Sequence, residues 1–300
     1  MEYQIITDGS CDLGEDLAKK NGIKVVPFYV SFDDVTYEKE IEELDVRQFY
    51  RTMADHPDVY PKSSMPNVQD YLEAFGPFVL AGVPVICICI TTKFSGSFAS
   101  ASNARDILLE RYPDARIQVI DSCVNTVLQG MLVLEAVKMQ RHGFSFQETV
   151  DKIEEIKGSG RIFFTIGGME YLVHGGRVGK LMGLAGTTLG IKPLITLKEG
   201  EIFSSGITRS RRKSRKKVLE LLKNHFKETG ENPDDYLMVL GYGYDYEEAV
   251  EFREEMLESI AEYTAVKDVD IYQIGATIGV HTGPHPLGVG ILKKAVRELG

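Results

Sequence analysis

Four short runs rich in Val and Ile, at residues 3–7, 24–30, 83–91 and 116–120, constrain this chain more than any other feature. Most carry apolar residues continuously rather than in alternation. That is the pattern of strands buried on both faces, which belong to parallel sheets covered by helices. Helical periodicity fills the intervals. Apolar residues recur at helical spacing over 99–111 and 126–141, and Asn67 with Asp70 three residues on reads as a helix cap. Ser145 with Glu148 forms a capping-box pattern for a helix that ends before Gly158-Ser159-Gly160. The first half is therefore expected to be a three-layer α/β/α domain with a mostly parallel sheet.

The glycine and serine cluster marks a boundary, giving expected domains at residues 1–157 and 158–300. A 300-residue chain exceeds the size at which one core usually keeps growing. Beyond the boundary, strands at 162–166, 193–197, 236–241, 269–274 and 289–292 mix with helices near 210–227 and 247–260. Regular βαβ spacing is missing there, so the second half is expected to be an α+β domain.

Several function classes are disfavoured. The longest apolar run, 82–90, is far short of the roughly 20 residues of a membrane span, and no signal-like segment opens the chain. A cytoplasmic protein without a membrane span is expected. Cys87 and Cys89, two apart in a strand-like run, read as small core side chains on one face. A net charge of −10 argues against general nucleic-acid binding, which needs a basic footprint. The local exception is Arg209, Arg211, Arg212, Lys213, Arg215, Lys216 and Lys217, which lack any accompanying groove-reading motif.

Familiar motifs fail on spacing. Gly175-Gly176-Arg177-Val178-Gly179-Lys180-Leu181 is one residue short of a phosphate loop and ends in Leu where a metal-binding hydroxyl is required. Gly241-Tyr242-Gly243 has Tyr246 in place of the third glycine of a dinucleotide fingerprint. His281 and His285 have the spacing of helical zinc ligands, but Gly283, Pro284 and Pro286 forbid a regular helix across them, and no metal is expected. Ser95 follows a strand as a hydrolase nucleophile does, yet Lys93 stands where the elbow needs glycine.

What remains is four segments rich in hydroxyls and glycine: Asp8-Gly9-Ser10-Cys11-Asp12, Ser63-Ser64-Met65-Pro66, 91–97, and Gly279-Val280-His281-Thr282-Gly283-Pro284. Segments after parallel strands line the crevice where ligands bind, and helix N-termini there offer free N–H groups. Hydroxyls and N–H groups together suit an anion of one charge. Taken singly, each segment is better explained without a ligand, with Ser63, Ser64 or Ser95 as a helix cap and His281 as a satisfied loop residue.

Their order along the chain resembles the DegV family over nearly its whole length. The resemblance is carried by 7–12, Ser63-Ser64-Met65-Pro66, Phe94-Ser95-Gly96-Ser97, Asp121-Ser122, Glu170-Tyr171-Leu172, Gly175-Gly176-Arg177, Lys192-Pro193 and 278–284. Ser63 stands where the family usually has Thr, Met65 where it usually has Gln, and His285 where Gly is common. The resemblance implies a long-chain fatty acid bound between the two domains, with no other cofactor. Its carboxylate is implied at Ser63 or Ser64, Ser95, Gly96, Ser97, His281 and Thr282. It also implies delivery of the fatty acid to the catalytic subunit of a separate kinase that makes acyl phosphate for phospholipid synthesis. Arg177, Arg209, Arg211 and Arg212 are the expected partner or phosphoryl contacts. A bound carboxylate is expected to push the His281 imidazole above its ordinary value. The competing reading is a serine-dependent acyl or ester hydrolase with Ser95 as nucleophile and His281 as base.

Overall fold

The computed structural model describes residues 3–184 and 190–296. The first part of the chain runs β1 (Gln4–Asp8), α1 (Gly14–Lys20), β2 (Lys24–Val26), β3 (Tyr29–Ser31), β4 (Glu38–Lys39), α2 (Val46–Asp55) and β5 (Lys62–Ser64). It continues as α3 (Val68–Leu80), β6 (Val85–Cys89), α4 (Ser97–Arg111), β7 (Ile117–Asp121), α5 (Thr126–Arg141) and α6 (Phe146–Ile156). Then come β8 (Arg161–Thr165), α7 (Glu170–His174), β9 (Lys192–Lys198), β10 (Glu201–Thr208) and α8 (Arg211–Thr229). The last elements are β11 (Tyr236–Tyr242), α9 (Tyr246–Ile260), β12 (Asp270–Gln273), α10 (Ala276–Thr282) and β13 (Leu287–Lys293).

The continuous apolar runs produce the sheet their pattern demands. Strands β2-β1-β6-β7 pair in parallel, and every residue of β1 and β6 is buried. Ile86, Ile88 and Ile120 face α5 and α6, whereas Cys87, Cys89 and Val119 face α3 and α4, so the two cysteines do share one face. Both expected caps form. Asn67 Oδ1 accepts from the Gln69 and Asp70 amides while Asp70 accepts from Asn67 N, and Ser145 and Glu148 make the same reciprocal pair.

The second large sheet has the order β10-β9-β8-β13-β11-β12, antiparallel except for β11 with β12. Its two faces pack differently. Phe163, Leu194, Leu240 and Val289 lie under α8 and α9, while Ile162, Ile195, Val239 and Leu292 join the core that contains α5. Helix α5 is buried on every side from Thr126 to Val133, as its mainly apolar first turns require, and only its last turn reaches the surface, at Arg141. It touches β1 and β6 of the parallel sheet and β11 and β13 of the mixed sheet, so one apolar cluster spans both.

One expectation fails instructively. Residues 24–30 are two strands: β2 joins the parallel sheet and β3 pairs with β4 and β5 in a separate three-stranded sheet. Pro27, which has no N–H to donate, stands at the break. No helix among the described residues is long and apolar enough to cross a membrane.

Candidate functional site

A crevice opens where the C-terminal ends of the parallel strands meet the mixed sheet. Ile90, Phe94, Ser95 and Gly96 reach it from the loop after β6, and Asn125 from the residue before α5. Ser63 enters from β5, and Thr277, Ile278, His281 and Thr282 enter from α10. Phe164 and Ile202 close it from the mixed sheet. The void measures about 710 Å³ including its mouth. A second void of about 430 Å³, walled by Val127, Ile162, Ile274 and Leu287, shares Asn125, Phe164, Ile278 and Thr282 with the first. The lining of both is mainly apolar, and Ser63, Ser95, Arg177, Thr277 and His281 are polar groups that line the first void and not the second.

Among the described residues, His281 is the one imidazole on the wall of the first void. The residue lies in the last turn of α10 rather than in a loop as expected, because Gly283 at φ 75° and Pro284 stop the helix only after Thr282. Its Nε2 is 3.3 Å from Ser63 Oγ, and its Nδ1 has no hydrogen-bond partner. A Cβ on Gly175 would stand 2.1 Å from Nδ1, so the absence of that carbon is what seats the ring. Burial, and then the Arg177 guanidinium, pull the imidazole down to about 4. The ring is therefore neutral near pH 7, and any rise caused by a bound carboxylate starts from this low value rather than from the ordinary one.

Other expected site residues divide. Ser95 Oγ accepts from Ser97 N at 3.1 Å, which leaves its hydroxyl hydrogen for the crevice. Gly96 lies beneath Met65, whose Sδ would be 2.7 Å from a Cβ there. Thr282 is on the wall, but its hydroxyl donates to the Ile278 carbonyl at 3.1 Å. Ser64 alternates to the exposed side of β5 and is not on the crevice wall. Ser97 is fully buried away from it: its hydroxyl donates to Asp8 at 2.6 Å and lies 2.6 Å from the Tyr71 hydroxyl.

Asp8 explains much of the first hydroxyl-rich segment. Its carboxylate accepts from Ile90 N, Ser97 Oγ, Ser10 Oγ and Gln129 Nε2, at 2.6–2.9 Å, and so ties β1 to the β6 loop, α4 and α5. The segment braces the crevice from behind. Sequence reasoning passed over Asn125, Thr277 and Phe164. Asn125 and Thr277 adjoin motifs that were singled out, but Phe164 carries no local signal, since its role depends on which face of β8 meets α5.

Arg177 lies on the rim, where Nη1 donates to the Gly175 carbonyl at 2.8 Å and Nε to the Phe94 carbonyl at 3.3 Å. The basic helix is less free than its composition suggests. Arg211 makes a bidentate pair with Glu248 at 2.7 and 2.6 Å, and Arg215 bonds Glu251 and Glu255, all on α9. Arg211 is thus engaged within the fold, whereas Arg209 and Arg212 are exposed. Among the described residues no group of three metal-ligating side chains occurs. Nor does a carboxylate bond His281 Nδ1 there to orient it as a general base.

Comparison with known proteins gives a concordant result. Residues 2–294 match the profile of a family described as uncharacterised proteins of the DegV family. A DegV domain-containing protein of Clostridium perfringens is 30% identical over 296 residues, covering 98% of this chain and 100% of that protein. A crystal structure described as a fatty acid (stearic acid)-binding protein of Eubacterium ventriosum superposes with a TM-score of 0.92 at 41% identity, covering 98% of this chain and 99% of the other. A second structure, described as fatty acid binding of a DegV family protein from Thermus thermophilus, gives 0.84 at 27% identity over 98% and 100%.

Proposed function

This chain belongs to the DegV family, and on that premise we propose that it binds a long-chain fatty acid in the crevice between its two large sheets. In this reading the chain divides at residues 157–158 into two units with the ligand between them. The carboxylate lies at Ser63, Ser95 and His281, and the tail runs past Phe164 into the second void. The observation that carries the reading is a pair of mainly apolar voids that share four wall residues, the first of them lined also by the Ser63 and Ser95 hydroxyls and by one neutral imidazole. Burying a sixteen-carbon tail at about 0.8 kcal/mol per CH₂ gives roughly 12 kcal/mol. Association and ordering cost roughly 4–15 kcal/mol. The tail supplies affinity and the head group supplies orientation.

Protein purified from cells is expected to carry fatty acids of about fourteen to eighteen carbons, the length that fills a pocket of this class. Mass spectrometry of the organic extract checks this. An extract free of lipid, together with no uptake of added palmitate, would sink the proposal. Ester turnover that disappears in Ser95→Ala would replace it with the hydrolase reading.

The finer part of the proposal is that the protein presents the carboxylate to a separate kinase for acyl phosphate formation. Arg177 at the rim and the exposed Arg209 and Arg212 are the candidate contacts, since guanidinium groups pair well with phosphoryl oxygens and acidic protein faces. Arg211 is set aside because Glu248 already holds it. Reversing Arg209 and Arg212 to Glu is expected to leave palmitate binding unchanged and to slow kinase-dependent acyl phosphate formation, with weaker dependence on salt. Equal rates at low salt would remove both residues from the proposal.

A further inference from the structure

Two buried carboxyl groups that the ligand reading does not use meet at the N-terminus of α10. Asp12 and Glu40 are only 7% and 1% exposed. A Cβ on Gly275 would stand 2.4 Å from Asp12 Oδ1 and 2.5 Å from Glu40 Oε1, so both oxygens converge on the Cα of one glycine. Glu40 accepts from Thr277 N at 3.0 Å and from Thr277 Oγ1 at 2.5 Å. Asp12 Oδ2 accepts from Thr126 Oγ1 at 2.5 Å. Asp12 Oδ1 is buried and faces the Gly275 amide without a well-formed hydrogen bond.

No cation stands among the groups that act most strongly on this pair. The groups that face it are Asp8 at the end of β1, Cys11 in the short helix 9–11, Tyr50 on α2, Thr126 on α5 and Thr277 on α10. Two carboxylates so placed cannot both ionise without a large penalty, whereas a proton on one supplies the donor that Asp12 Oδ1 lacks. Thr126 adds to the picture. It is a β-branched residue held at φ 50°, a conformation that persists only where surroundings enforce it, and its hydroxyl is bound by Asp12.

We propose that Asp12 and Glu40 hold one proton between them and in that state act as positioning residues, fixing α10 so that Thr277 and His281 face the crevice. The proposal rests on the reading of that crevice as a fatty-acid site. Loss of the proton to solvent leaves two like charges against Gly275, and the short helix transmits their repulsion to His281. Burial pushes the Glu40 carboxyl up to about 7 and, with the Glu40 charge, raises Asp12 well above the usual carboxylate range. Folded-state values above the unfolded ones mean that the folded protein holds a proton the unfolded chain releases. The Glu40 part of the associated stability is complete below the unfolded value and is lost as pH rises through about 7, whereas the last proton, kept on Asp12 by burial and by the Glu40 charge, leaves only above that. Burial pushes the Cys11 thiol and Tyr50 hydroxyl far above neutrality, and the His281 imidazole lies at about 4, so none of the three titrates in this window in the protein without ligand. Asp8, also raised by burial, is held by four donors, and its charge adds to the forces that raise both members of the pair.

The experiment measures two things from pH 6 to 10 in delipidated protein. One is the affinity for radiolabelled palmitate below its aggregation threshold; the other is the amide hydrogen-exchange protection of residues 276–282, corrected for intrinsic exchange. In the wild type both are expected to fall as pH rises beyond about 7, where Glu40 is already charged and the last proton leaves Asp12, at a limiting slope of about tenfold per pH unit, the dependence that one released proton imposes. In Glu40→Gln, and separately in Asp12→Asn, both profiles should be flat, because an amide needs no shared proton. Variant profiles parallel to the wild type, or wild-type protection of α10 that is level across the range, would overturn the proposal. Since the exchange measurement needs no ligand, it decides the matter even if palmitate fails to bind, an outcome that would count against the fatty-acid reading instead. Should neither variant fold, the wild-type exchange profile alone remains decisive.

Discussion

Replacing His281 by Ala is expected to weaken palmitate binding by roughly tenfold to a hundredfold, the effect of removing a charge-assisted hydrogen bond worth about 1.5–3 kcal/mol. In the proposed site the neutral imidazole is the donor to the carboxylate, and its Nε2 lies 3.3 Å from Ser63 Oγ. Melting temperature should change little, because the variant also removes a buried nitrogen, Nδ1, that has no partner. Ser63→Ala should weaken binding in the same direction. The double variant should lose less than the sum of the two single losses, since bonded neighbours act as one unit. Titration calorimetry on delipidated protein measures all three. Unchanged affinity in both single variants would place the carboxylate elsewhere in the crevice.

Leu128→Ala is expected to destabilise the protein by about 2–5 kcal/mol, the range for deleting a fully buried leucine where the surroundings cannot collapse. That is a large share of the roughly 5–15 kcal/mol by which domains are stable. Leu128 is fully buried on α5, and its Cδ1 would stand 3.1 Å from a Cβ on Gly290 of β13. The cavity therefore opens between α5 and the mixed sheet. Because one core cluster includes side chains from both large sheets, urea unfolding followed by circular dichroism should remain a single transition, displaced to lower denaturant. A loss below about 1 kcal/mol would mean that the interface relaxes around the missing methyl groups.

The parallel sheet was legible because its physics is local: runs such as Val85–Cys89 have no polar face, and only a strand covered on both sides tolerates that. The caps at Asn67 and Ser145 were legible for the same reason, since donor and acceptor lie within three residues of each other. Composition also marked 126–141 as apolar, but that it stands between two sheets follows from packing alone.

The site depends on distance along the chain. Ser63 and His281 are 218 residues apart in sequence, and their contact needs β5 to pair with β3 while α10 ends beside it. Pro27 sends that part of the chain into the small sheet, and no periodicity in 24–30 announces where the second piece pairs. Likewise, seven basic residues from Arg209 to Lys217 are plain in the sequence, but only the docking of α8 beside α9 decides that Arg211 and Arg215 are neutralised by Glu248, Glu251 and Glu255. Sequence alone determined which segments bury both faces and where helices begin, because those rest on neighbours in the chain. Tertiary structure decided which hydroxyls face the crevice, which charges are free and which ring stays neutral, because burial and pairing belong to residues the chain brings together only on folding.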